Sequence, residues 1–224
     1  MNSLELTGRS RSHVVDLTEP SCLVHKEAVA AYVAMRAAAA LAGHDLVPLS
    51  SFRDFAHQAR IWNAKFRGER PMFDGEGRTL DVSTMSDADK VAAILLWSAL
   101  PGASRHHWGT EIDVIDRAAL APGYRPQLLP VEYQPGGPFA ALTDWLETHM
   151  QEFGFFRPYR TDRGGVRPEP WHLSYAPVSV AALRAVTPEV LSAALEAENV
   201  LGREVVRSRL VEIHERYVSN VDAP

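Results

Sequence analysis

Two short segments of the sequence concentrate side chains that bind metal ions and transfer protons. One runs from Ser104 to Asp113 and the other from Glu169 to His172. A catalytic zinc ion takes three protein ligands from His, Asp and Glu and keeps a fourth position for water. A nearby carboxylate must then accept a proton from that water. The side chains able to fill these roles are His106, Asp113 and His172 as ligands and Glu169 as the base.

The spacing of these residues requires turns. His106 and Asp113 are seven positions apart, so in a regular strand their side chains would lie on opposite faces. Gly109 lies between them and supplies the backbone freedom for a turn that returns His106 to the face of Asp113. Pro170 disfavours a regular strand before His172. We therefore expect Glu169 on a loop beside the metal.

The pattern S-x-H-x-x-G-x-x-x-D, followed downstream by E-x-W-H, resembles the zinc D-alanyl-D-alanine peptidases of the VanY and VanX type (peptidase family M15). A helix with the H-E-x-x-H motif is absent. Ser50-Ser51-Phe52-Arg53 followed by Gln58 looks like the S-G-Y-R-S…Q segment of the same family. The three motifs occur in the family's order between about residues 50 and 175. The family shares its fold with the lysostaphin and hedgehog amino-terminal domains.

The resemblance implies a role for each matching residue. The implied ligands of one zinc ion per chain are His106, Asp113 and His172. Glu169 would be the general base and then the acid that protonates the leaving amine. Arg53 would stabilise the oxyanion, a role that suits a guanidinium because it stays charged and offers several donors. The residues expected near the substrate are Ser104, Gln58 and His107.

Three positions depart from the family pattern. His107 stands where Gln is frequent, Glu111 where Ala is frequent, and Ser51 where Gly is frequent. If Glu111 shares a strand face with Asp113, it adds negative charge close to the metal. This departure bears on substrate preference more than on metal binding.

The elements around these motifs indicate an α+β fold in which helices flank a small antiparallel sheet that carries the zinc site. Apolar spacing and end signals predict helices at residues 24–42, 54–66, 86–100 and 139–153. Short strands are expected at 46–49, within 104–116 and at 171–175. Residues 72–85 and 117–138 are expected to be irregular, and the segments 74–85 and 117–138 are candidate walls of the cleft. We expect one domain over residues 1–224, with a core of about 24–177 and a helical appendage of about 178–220 in two or three pieces.

Composition limits the remaining classes of function. Hydrophobic residues make up 46% and charged residues 23% of the 224, as in ordinary globular proteins. The formal charge of −5 gives no basic excess for nucleic acid. Cys22 is the one cysteine, which excludes an intramolecular disulfide. No apolar run approaches the ~18 residues of a membrane span, so a cytoplasmic location is expected.

The motifs predict a zinc metallopeptidase, and the resemblance to the VanY and VanX type implies a peptidoglycan peptide as its partner. D-alanyl-D-alanine carboxypeptidase is the first expectation, and a dipeptidase is close to it. A phage-lysin-like endopeptidase and a non-catalytic hedgehog-like zinc module are the alternatives. A structural zinc ion would need a fourth protein ligand, either His107 or Glu111. The sequence does not define the oligomeric state.

Overall fold

Two antiparallel sheets and a series of helices make up the computed structural model, which describes residues 1–224. A hairpin is formed by Val14–Thr18 (β1) and Ser21–His25 (β2). The four-stranded sheet is built from Leu46–Ser50 (β3), Glu111–Asp116 (β4), Phe155–Phe156 (β5) and His172–Tyr175 (β6), in the order β3-β4-β6-β5. The α-helices are Ser3–Leu6 (α1), Val29–Leu41 (α2), Phe55–Phe66 (α3), Asp87–Leu95 (α4), Ala140–His149 (α5), Ala176–Ala185 (α6), Pro188–Glu196 (α7), Arg203–Ser208 (α8) and Leu210–Ile213 (α9).

The central strand β4 separates an apolar face from a polar one. Ile112 and Val114 pack into a buried cluster with residues of α2 and α5. Because side chains alternate along a strand, Glu111 and Asp113 lie on the other face. The antiparallel register sets Asp113 beside His172 of β6. The hydrophobic alternation that builds the sheet therefore also brings two of the sequence-predicted site residues together.

A second buried cluster joins the middle of the chain to its end. Trp62 of α3 and Ile94 of α4 pack in this cluster with residues of the C-terminal helices, among them Leu191 and Ile213. The Trp62 indole Nε1 also donates a hydrogen bond to the backbone oxygen of Leu201 at 2.9 Å. These contacts fix the position of α3, which also carries Gln58.

The predicted α+β class with a small antiparallel sheet is confirmed, as are several element ends. Asp54 caps α3 and Ser86 caps α4, each by accepting a backbone N–H bond. Helix α4 ends at Leu95, short of the predicted residue 100. The strand predicted within 104–116 is limited to β4 because residues Arg105–Trp108 form a 3-10 turn. Gly109 ends that turn in the left-handed conformation, at φ 68°.

The N-terminal region differs most from the prediction. The helix predicted at residues 24–42 begins only at Val29, because residues up to His25 pair with β1. The strand β5 was also not predicted. The last helical region contains four α-helices and a terminal π-helical turn, His214–Val218, rather than two or three pieces. No single helix is long and apolar enough to cross a bilayer.

Candidate metal centre

Three side chains from separate elements converge at one edge of the sheet. His106 lies on the 3-10 turn, Asp113 on β4 and His172 at the start of β6. His106 Nε2 lies 3.2 Å from Asp113 Oδ2, and His172 Nδ1 lies 3.0 Å from Asp113 Oδ1. One possible ligand atom from each residue lies within 4.8 Å of the others, and all three residues are buried. The structure thus brings the three predicted ligands together.

The two imidazole rings are oriented by acceptors on their outer sides. His106 Nδ1 donates to the backbone oxygen of Ser51 at 2.7 Å. His172 Nε2 donates to Glu111 Oε2 at 2.9 Å. Since carbonyl and carboxylate oxygens only accept, these two nitrogens carry the ring protons. The remaining nitrogens then face Asp113 with free lone pairs, as metal-binding histidines do.

The carboxylate of Asp113 provides a test of whether a cation fits here. Its Oδ1 atom is buried and receives no well-directed hydrogen bond, although His172 Nδ1 is close. A buried carboxylate oxygen without such a bond is unfavourable unless a cation satisfies it. Two imidazoles and one carboxylate form a donor set suited to zinc.

Glu111 belongs to a buried polar network behind His172. Its carboxylate accepts hydrogen bonds from Thr110 and Ser174 and lies 3.3 Å from the guanidinium of Arg105. Burial acts to raise the pKa of Glu111, but Arg105 and His172 outweigh it and lower this pKa to about 2. The negative charge expected near the metal is therefore present and is balanced by a buried arginine, which the sequence analysis did not identify.

Glu169 lies at the open side of this group. Its Oε2 atom is 3.3 Å from His172 Nδ1, and its side chain is 14% exposed. The turn that carries it is fixed because Glu169 N–H bonds to the Tyr159 oxygen and His172 N–H bonds to the Glu169 oxygen. The predicted loop position beside the ligands agrees with this geometry.

Arg53 is joined to the same region through its backbone and its side chain. Its N–H donates to the backbone oxygen of His106 at 3.1 Å. The guanidinium donates to Gln58 Oε1 at 2.7 Å and to Ser50 Oγ at 3.1 Å. Burial lowers the pKa of Arg53, and the negative charges of Asp113 and Glu169 act to raise it. The structure places Gln58 where it orients Arg53.

Two other residues predicted near the substrate, Ser104 and His107, are buried. Ser104 is buried directly before the 3-10 turn. His107 is fully buried and its two ring nitrogens bond to the backbone, Nδ1 to the Arg53 oxygen at 2.6 Å and Nε2 to Gly102 N–H at 3.1 Å. Burial lowers the pKa of His107 to about 3. Neither nitrogen of His107 is available to a substrate or a metal ion, and the structure does not bring it into the group.

Tyr159 is a further residue in contact with this group. Its buried ring packs edge-on against the His172 ring, with 5.1 Å between centroids. Burial raises the pKa of Tyr159 to about 12. Its contact with His172 depends on the chain path between β5 and β6 and has no local signal.

Comparison with known proteins finds a family and relatives with similar sequences. The model of the VanY family, described as D-alanyl-D-alanine carboxypeptidase, matches residues 21–178. Two uncharacterized proteins of Haemophilus influenzae are 39% identical over 121 residues and 47% identical over 98 residues. These alignments cover 53% and 42% of this chain, and 92% and 67% of the relatives.

Solved structures show a similar fold. VanYB in complex with D-Ala-D-Ala has a TM-score of 0.54 and 19% identity, over 87% of this chain and 88% of that one. A variant of the vancomycin-resistance D,D-pentapeptidase VanY in complex with Zn(II) has a TM-score of 0.51 and 20% identity, over 88% and 92% of the two chains. The chain belongs to the VanY family of peptidases, because the family model matches more than half of its length.

Proposed function

We propose that this protein is a zinc-dependent carboxypeptidase that removes the terminal D-alanine from peptidoglycan peptides ending in D-Ala-D-Ala. The observation that carries the proposal is the convergence of His106, Asp113 and His172, with Glu169 at the open side of the group. The family description and the ligands of the two solved structures support the same metal and substrate.

The proposed ligand atoms are His106 Nε2, His172 Nδ1 and a carboxylate oxygen of Asp113. A zinc ion on three protein ligands supplies an open coordination position that activates water and polarises a carbonyl. Glu169 accepts the proton of the attacking water at its carboxylate and then gives it to the leaving amine of D-alanine. Arg53 donates hydrogen bonds to the oxygen on which negative charge develops.

The geometry gives no support to a structural zinc ion with four protein ligands. Both candidates for a fourth ligand are engaged elsewhere: His107 with the backbone and Glu111 with the outer nitrogen of His172. The partly exposed carboxylate of Glu169 favours an enzyme over a binding module, because a module that only binds has no need for a proton acceptor beside the ligands.

The test is release of D-alanine from a muramyl pentapeptide and from free D-Ala-D-Ala, with and without a chelator. We expect chelator-sensitive release, faster from the pentapeptide. Glu169→Ala should keep its zinc content and lose activity about 10²–10⁴-fold. Preference for the dipeptide would indicate a dipeptidase. No release from either substrate by the zinc-loaded chain would contradict the proposal and favour an endopeptidase or a binding module.

A further inference from the structure

The segment between β5 and β6, residues 157–171, contains no helix or strand and carries both Tyr159 and Glu169. An irregular segment has no ladder of backbone hydrogen bonds to hold its shape, and its ordering costs conformational entropy. The position of Glu169 beside the ligand group therefore depends on contacts from outside the segment. Many of these contacts come from the C-terminal tail, residues 216–222.

Asp222 of the tail bonds to the backbone on both sides of Tyr159. Its N–H donates to the Pro158 oxygen at 2.9 Å. Its carboxylate oxygen Oδ2 accepts from Arg160 N–H at 2.9 Å and from Thr161 N–H at 2.8 Å. The other oxygen, Oδ1, accepts from the Thr161 hydroxyl at 2.8 Å. These four hydrogen bonds to one residue fix the backbone that carries the Tyr159 ring.

Two other tail residues hold the next part of the segment. The Arg163 guanidinium donates to Asn220 Oδ1, and Asn220 Nδ2 donates to the Arg163 oxygen, both at 2.9 Å. Arg216 Nε donates to the Gly164 oxygen at 2.7 Å. Gly165 comes so close to the backbone oxygen of Arg216 that a Cβ atom there would overlap with it. The tail therefore packs against several successive residues of the segment.

The tail is itself anchored in the protein interior. Its Val218 side chain is buried in the same apolar cluster as Trp62 of α3 and Ile213 of α9. A chain end that is tied down in this way does not fray. The tail can thus act as a fixed support for the segment, although it lies outside residues 21–178, which the family model matches.

Tyr159 connects the tail to the proposed catalytic centre. Its ring packs edge-on against the His172 ring, and its backbone oxygen accepts from Glu169 N–H at 2.9 Å. We propose that Asp222 is a positioning residue that fixes Tyr159 and, through it, the orientation of His172 and Glu169. A misplacement of about 1 Å in a catalytic site can lower the rate about 10²-fold. The inference rests on the proposed function and gives the tail a part in it.

The first test measures kcat and KM for D-alanine release from a muramyl pentapeptide. Asp222→Ala removes the acceptor of three hydrogen bonds and should lower kcat about 10–100-fold, with little change in KM and unchanged zinc content. Asp222→Asn should restore most of the activity, because its amide oxygen can replace Oδ2 and accept both backbone N–H bonds.

The matched control is Val206→Ala, which removes buried methyl groups of α8 and so lowers stability. Val206 forms none of the hydrogen bonds between the tail and the segment, so this variant should keep the wild-type kcat. An unchanged kcat in Asp222→Ala, no recovery in Asp222→Asn, or an equal fall in Val206→Ala would overturn the inference.

Hydrogen exchange of the zinc-loaded full-length protein separates failure of this inference from failure of the proposed function. The Glu169 N–H is protected by its bond to the Tyr159 oxygen. In Asp222→Ala it should exchange about 10-fold faster, because the segment opens locally, while amides of β4 keep their wild-type rates. Such a result supports the inference even if the wild type releases no D-alanine. An equal exchange rate of this amide in wild type and Asp222→Ala would overturn it.

Discussion

The carboxylate of Glu111 accepts the hydrogen bond of His172 Nε2 at 2.9 Å, on the side of the ring opposite to Asp113. This contact fixes which nitrogen of His172 is free for a metal ion. Glu111 is itself held by the buried guanidinium of Arg105. The proposed ligand thus depends on a pair of buried charges that never touch the metal.

Glu111→Gln should weaken zinc binding about 10–100-fold, because loss of an outer partner of a metal-binding histidine has effects of that size. The change also leaves Arg105 buried without its counter-charge, so stability should fall too. Zinc affinity is measured by competition with a chromogenic chelator. Ser174→Ala removes another hydrogen bond to Glu111 without touching His172 and is the matched control. Equal zinc affinities of the two variants would contradict the role given to Glu111.

Arg53→Ala should lower kcat about 10²–10³-fold with unchanged zinc content, since removal of one oxyanion donor has an effect of that size. Gln58→Leu should produce a smaller loss, because the guanidinium keeps its bond to Ser50 but loses the one to Gln58. Steady-state kinetics and metal analysis on the same preparations check both. Arg60→Ala, at an exposed position of α3, is the control. Full activity of Arg53→Ala would exclude the oxyanion role.

Gly109→Ala should lower the free energy of unfolding more than an alanine substitution at a glycine that faces open space. A side chain at Gly109, where φ is 68°, would meet Val14 and the backbone of His25. Strain of the left-handed conformation costs about 1–2 kcal/mol, and overpacking adds about 1–3 kcal/mol. Gly123 also has a positive φ, but no atom lies near the position of an added side chain. Gly123→Ala should therefore lose only the stability that the strain of the left-handed conformation costs. Denaturant unfolding compares the two variants, and equal losses would contradict the close approach.

Local signals predicted the parts of the fold that depend on local chemistry. Asp54 and Ser86 cap their helices as expected, and the spacing of apolar residues located the central strands. The three proposed ligands and Glu169 were found because the motifs place them in short segments around Gly and Pro. Their roles remain proposals, whereas their convergence is seen in the structure.

The parts that the sequence did not predict depend on long-range contacts. The strands β1 and β2 are short and largely exposed or half-buried, so they lack a clear apolar alternation. They are stabilised by each other and by Gly109, whose backbone oxygen accepts from His25 N–H at 2.7 Å.

The hairpin β1–β2 forms backbone hydrogen bonds with two segments that carry candidate site residues, one containing Phe52 and the other containing Gly109. Besides the bond from His25 to Gly109, the backbone oxygen of Leu23 accepts from Phe52 N–H at 3.1 Å. The family match begins at residue 21 and ends at residue 178, so it divides this hairpin and omits the helices that complete the core around Trp62. The segment that the family model matches is therefore shorter than the segment whose residues pack together in the buried core. A fragment trimmed to residues 21–178 would keep every proposed catalytic side chain and lose the framework that aligns them.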